Sequence, residues 1–163
     1  MEGKNNSGGG KSGENAKNVG NTENVQNNIK IAQNSKISKS EFSSSDLDFD
    51  IPENVTSISY LGFLLSEVEQ KIEKIEGRTP RELRQLRTRI NFRKNFLSSK
   101  MGEEIKPEEY FEMIKNEYTK SVRVSLFFSQ EGENEKSARA KKKASVVAKE
   151  VKEMNEFLKG GGK

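Results

Sequence analysis

The chain contains no cysteine, no histidine and no tryptophan, and only three prolines in 163 residues. Each absence removes a class of chemistry. Without histidine there is no imidazole general base, no Ser-His-Asp or Cys-His relay, and no usual zinc or haem ligation. Without cysteine there is no disulfide, no thiolate nucleophile and no iron–sulfur cluster. No apolar run approaches the roughly 18 residues that a membrane-spanning helix needs. The N-terminus lacks the apolar stretch of a secretory signal. The expectation is a non-enzymatic cytoplasmic protein, with a nuclear location left open, and with no catalytic residue, metal or cofactor.

What is present is charge. Charged residues make up 33% of the chain and apolar ones 31%, and 29 Lys plus Arg against 25 Asp plus Glu leave a net charge of +4. The charge is uneven along the chain. Residues 1–50 hold 6 Lys against 7 acids, whereas residues 51–163 hold 23 basic residues against 18 acids. The first fifty residues are also rich in Asn, Ser and Gly, and their large apolar residues are scattered. Such a composition predicts a disordered tail, because it buries too little surface to offset the entropy of ordering it. The expected division is therefore a tail over 1–50, a helical domain over 51–159 and a flexible end over 160–163.

Two patterns in the tail carry chemistry. Gly10-Lys11-Ser12 resembles the end of a phosphate-binding loop, but the required glycine five positions earlier is Asn5 and no buried strand precedes it. The stretch Ser43-Ser44-Ser45-Asp46-Leu47-Asp48-Phe49-Asp50-Ile51 places an aspartate three residues after Ser43 and after Ser45. That spacing makes Ser43 and Ser45 candidate sites for an acid-directed kinase. The same stretch alternates acidic and apolar residues, as short binding motifs do and as plain acidic linkers also do.

Four helices come after the tail. Ile58, Leu61, Leu65, Val68, Ile72 and Ile75 recur at steps of three and four, predicting a helix over about 53–76 that Gly77 stops. Thr79-Pro80-Arg81-Glu82 reads as a capping box opening a second helix to about Lys100, with Leu83, Leu86, Ile90 and Leu97 on one face. A third helix, about 107–130, carries two apolar stripes. One holds Phe111, Ile114, Tyr118 and Val122; the other holds Tyr110, Met113, Val124, Phe127 and Phe128. Two apolar sides place a helix in the middle of a bundle, although a short strand near Val122–Phe128 is an alternative. A fourth helix runs to about Leu158, with Ala140, Ala144, Val147, Val151, Met154 and Leu158 in line. Short connections make these two antiparallel helical hairpins, an all-α fold, and the heptad-like stripes also allow a coiled-coil homo-oligomer.

The leftover faces point to partners. At 100° per residue, Arg81, Gln85, Arg89, Phe92 and Phe96 share a face opposite the second helix's leucine stripe. Residues 71–100 hold 10 basic residues against 3 Glu. Phe supplies contact area and Arg pairs with carboxylate or phosphate, so this face suits a partner with an acidic or apolar helical surface. The competing assignment puts both phenylalanines in the core. On the fourth helix, Lys141, Lys142, Lys149 and Lys152 form a second basic face, which is also what a solvated bundle helix shows. Arg81, Arg84, Arg89, Arg93, Lys142 and Lys149 would serve a nucleic-acid-binding accessory protein instead. Residues 101–118, with 6 Glu against 2 Lys, make the domain polarised rather than uniformly basic, which favours a protein partner. Glu108, Glu109 and Glu112 lie where carboxylates stabilise a helix N-terminus and need no catalytic role.

One family resemblance rests on the last hairpin. Leu126, Gly132, Ala138 and Ala144 have the spacing of the helical hairpin repeats of the Lethal giant discs family, which this segment resembles over about 122–150. Glu133 stands where that family carries an aspartate, and Ser145 where it carries a lysine. Tetratricopeptide and microtubule-interacting-and-trafficking hairpins fit nearly as well. The resemblance implies an adaptor for membrane-remodelling filament subunits, with Lys142, Lys143 and Lys149 as contacts.

Overall fold

The structure is a computed structural model, and it describes residues 36–161. Everything expected of residues 1–35, and of the last two residues, lies outside the described residues. Among the described residues there are five α-helices: α1 (Ser44–Leu47), α2 (Ile58–Glu73), α3 (Arg81–Lys100), α4 (Pro107–Gln130) and α5 (Asn134–Lys159). No strand occurs among the described residues, and the only bridge joins Met101 to Ile105 in the turn between α3 and α4. The fold is all-α.

Local chemistry sets the boundaries. The helix expected from Glu53 starts instead at Ile58, because Pro52–Asn54 form a short 3-10 turn and Ser57 caps α2, accepting from the Tyr60 amide at 3.0 Å. The capping box expected at Thr79 does not form. Pro80 takes the cap position of α3 with extended backbone and no side-chain cap, and the Thr79 carbonyl instead accepts from Arg84 Nε. Gly77, Gly102 and Gly132 turn the chain with positive φ, which an L side chain resists. α4 and α5 meet the expected spans almost residue for residue.

The helices pair as two hairpins, α2 with α3 and α4 with α5, joined where α2 packs on α5. The first predicted helix therefore packs on the bundle and does not project alone. Tyr60, Leu61, Leu64 and Val68 of α2 meet Ile90 and Leu97 of α3, Tyr110 and Ile114 of α4 and Val147 of α5 in one core. Ala140 and Ala144 are buried on the side of α5 that meets α4, where small side chains let the backbones approach. Val147 is 0% exposed. Val147→Asp would bury an unpaired carboxylate. It should cost more than about 4 kcal/mol and abolish cooperative melting in a circular-dichroism scan.

The boundary at residue 50 is corrected. The compact unit begins at Ile37, and residues 37–57 form a strap across the bundle. Ile37 and Phe49 are buried. Phe42 packs on Phe127 with ring centroids 5.5 Å apart, and Phe49 on Phe128 at 6.2 Å. The second apolar stripe of α4 is real, but the strap covers part of it where a bundle neighbour was expected. Scattered apolar residues suffice here because Phe42 and Phe49 rest on aromatic rings that α4 already provides. The C-terminus ends as glycines direct: Gly160 closes α5 and Gly161 has φ 84°.

Candidate docking face

Two kinds of polar constellation stand out: one holds the strap, the other is uncommitted. The strap is held by carboxylates paired with helix cations. Glu41 pairs with Arg123, Asp46 with Lys120 at 3.0 Å, Asp50 with Arg139 at 2.6 Å, and Glu53 with Arg89. Arg139 also grips Glu67 of α2. Tyr60 donates to Asp50 at 2.5 Å. Further in, Glu117 accepts from the Thr56 amide at 3.1 Å and its hydroxyl at 2.6 Å. Lys143 Nζ reaches Glu117 at 3.0 Å and the Phe49 carbonyl at 2.9 Å. Glu150 accepts from Ser57 Oγ at 2.5 Å and Tyr110 at 2.6 Å, and the Tyr110 hydroxyl in turn accepts from the Ile58 amide.

These pairs shape the titration of the strap. The Arg89 guanidinium holds Glu53 below the usual carboxylate range, and Arg139 does the same for Glu67. Burial pulls Asp46 upward, but hydrogen bonds from the Ser43 amide and from Lys120 outweigh it and leave it lowered. Burial raises Glu150, against the bonds from Ser57 and Tyr110. The signs follow from linkage. Lowered carboxylates contribute stability that is complete above their unfolded values, 3.8 for Asp46 and 4.5 for the two glutamates, and that is lost as pH falls through the lower folded values. Glu150 acts oppositely, costing stability as pH rises from 4.5 through its raised folded value. Strap amides, corrected for intrinsic exchange, should therefore lose hydrogen-exchange protection below about pH 4 before the α4–α5 hairpin does. Simultaneous loss in both would show that the strap is not a separate unit.

A cleft of about 420 Å³ lies between the strap, α3 and α4, with Lys143 and Glu117 among its lining residues. Its charged groups are already satisfied within the protein: Lys120 by Asp46, Lys143 by Glu117, and Arg93 by the Val55 carbonyl at 3.0 Å. The strap forms one wall of the cleft. Among the described residues, no group of three or more carboxylates converges as a metal site would require.

The sequence-predicted residues separate cleanly. Phe92 is 73% exposed and Phe96 43%, so neither is core. Arg81 and Arg84 are exposed two to three turns nearer the start of α3, and no carboxylate of the described residues lies within ion-pair distance of either. Arg89 borders the same face but is engaged by Glu53 through two nitrogens. Arg93 and Lys100 lie 5.8 and 5.2 Å from the Phe96 ring centroid, a cation–π arrangement that stiffens this ring. Lys142 is exposed and lies over the Phe63 ring at 5.4 Å, while Lys149 is exposed on α5. Lys143 is a correction. It is 3% exposed and locked to Glu117 and Phe49, so it is unavailable to a partner. Ser43 and Ser45 are exposed, and Ser43 caps α1 through the Asp46 amide at 3.2 Å.

The chain matches no family model, no curated protein and no solved structure. The assignment of function therefore rests on geometry. Sequence reasoning missed Arg139, Glu117, Glu150 and Asp50 as organisers of the polar interior. A signal for Lys143 did exist: it lies three residues after Ala140 and four before Val147, which places it on the buried stripe.

Proposed function

We propose that this domain is a non-enzymatic helical protein-interaction module, an adaptor or scaffold unit whose docking face is the outer side of α3. The observation that carries the reading is Phe92. A phenylalanine left 73% exposed, one helical turn from a second exposed phenylalanine, on a helix whose first turn carries Arg81 and Arg84 with no carboxylate partner among the described residues, is an uncommon use of surface. Aromatic anchors with a cationic rim are what interface centres use for affinity and orientation. The resemblance of the α4–α5 hairpin to adaptor repeats points the same way and would place the module in membrane remodelling. Of the lysines that resemblance implies, Lys142 and Lys149 are accessible.

The test is affinity capture with the full chain, with and without nuclease, comparing wild type with Phe92→Asp. A defined protein that survives nuclease and is lost with the variant supports the module. Capture that vanishes with nuclease, and whose affinity falls steeply with salt, assigns the arginines of α3 to nucleic acid instead. Light scattering that returns a discrete oligomer of wild type but a monomer of Phe92→Asp would make the partner a second copy.

A further inference from the structure

We infer that the partner of α3 is an acidic amphipathic helix that presents two apolar side chains one turn apart and carboxylates two to three turns from them. The inference rests on the docking-module reading and adds the partner's chemistry.

Charge complementarity is the first argument. Residues 81–100 hold seven basic residues and a single acid, Glu82. The cations that hold the strap are paired with its carboxylates, whereas among the described residues Arg81 and Arg84, like Lys149 of α5, have no carboxylate within ion-pair distance. Spacing along α3 sets the heights a partner must match. Phe92 and Phe96 are one turn apart, about 6 Å along the axis; Arg81 lies about 16 Å from Phe92 toward the N-terminus of α3 on the same side, and Arg84 about 12 Å away and turned about 80° from it. A facing helix needs its apolar pair and its carboxylates at matching heights.

The bundle already holds one acidic and apolar segment of its own, the strap, though not as a continuous helix. The strap alternates aspartates with Leu47, Phe49 and Ile51. Its carboxylates rest on helix cations while Phe42 and Phe49 rest on aromatic rings. The outer side of α3 offers the same pairing of aromatic and cation without an occupant among the described residues. A long polyanion fits less well. It would run from α3 onto residues 101–118, where six glutamates face two lysines, whereas a short helix ends before that strip.

The experiment uses the full chain and a labelled synthetic helix of about 18 residues, long enough to hold helical structure. Its leucines sit at i and i+4, and its glutamates lie two to three turns away. Three probes accompany it: the same composition with the glutamates moved beside the leucines, a lysine-for-glutamate version, and oligothymidine. Binding is read by fluorescence anisotropy and located by amide chemical shifts. The designed helix should bind and shift the amides of α3. Arg81→Glu with Arg84→Glu should weaken it about tenfold and flatten its salt dependence, and Phe92→Ala should weaken it about thirtyfold. Binding weaker than about 1 mM overturns the inference. Equal binding by the lysine version or the rearranged helix also overturns it, yet leaves the module reading standing if Phe92→Asp still abolishes capture. Oligothymidine binding on α3 in place of the peptide overturns both.

Discussion

Lys143→Ala is expected to lower the unfolding free energy by about 3–5 kcal/mol, a fall of roughly 12–20 °C in Tm for a domain of this size. The side chain is 4% exposed and its carboxylate partner Glu117 is 9% exposed. Removing the ammonium leaves Glu117 buried with only the Thr56 donors, and leaves the Phe49 carbonyl without its side-chain donor. An uncompensated buried charge is costly, while a buried ion pair as a whole contributes little over an apolar replacement. The double variant Lys143→Met, Glu117→Gln should therefore recover to within about 1–2 kcal/mol of wild type, because glutamine still accepts from Thr56 and no charge is stranded. Urea titration with unchanged m-values would read both. A single-variant loss below about 1 kcal/mol would mean that Lys143 is solvated, as a surface lysine would be.

The contrast between Lys143 and the helix spans shows what this sequence makes legible. The ends of α4 and α5 are written locally, in Pro107, in Gly132 and in apolar residues at steps of three and four. Those signals act within one or two turns and need no knowledge of the fold. The helical period sets Phe92 and Phe96 apart from Leu83, Leu86, Ile90 and Leu97, but it left open whether another element covers them, and only the fold shows them exposed. The strap was not legible. Its apolar residues follow no single period, and its anchors join residues far apart in sequence: Asp50 with Arg139, Phe49 with Lys143, Ile37 with Gln130. Composition describes the average cost of ordering such a segment and says nothing of sites that another helix holds ready for it. Glu117 and Glu150 escaped notice because a glutamate on a helix is ordinarily solvated, and only the fold brings Thr56, Ser57 and Tyr110 to them.

Phe92→Asp should leave the fold untouched and abolish docking. The side chain buries little in the free protein, so its replacement should change stability by about 0.5 kcal/mol or less and shift Tm by no more than about 2 °C. Loss of a central aromatic anchor in an interface costs about 2 kcal/mol or more, so affinity should fall at least about thirtyfold. The added carboxylate also meets whatever acid the arginines of α3 attract. Lys149→Glu is the matched comparison, because Lys149 is also exposed but lies on α5. If Phe92→Asp removes binding and Lys149→Glu changes only its salt dependence, the site is on α3 and the lysine contributes through long-range attraction. If Lys149→Glu removes binding and Phe92→Asp does not, the basic face of α5 is the site and the exposed phenylalanines of α3 have no docking role. The two variants carry opposite mechanisms in their rates. Losing an anchor should raise the dissociation rate, and losing a rim charge should lower the association rate. Stopped-flow measurement of both rates thus separates an anchored interface from simple charge attraction.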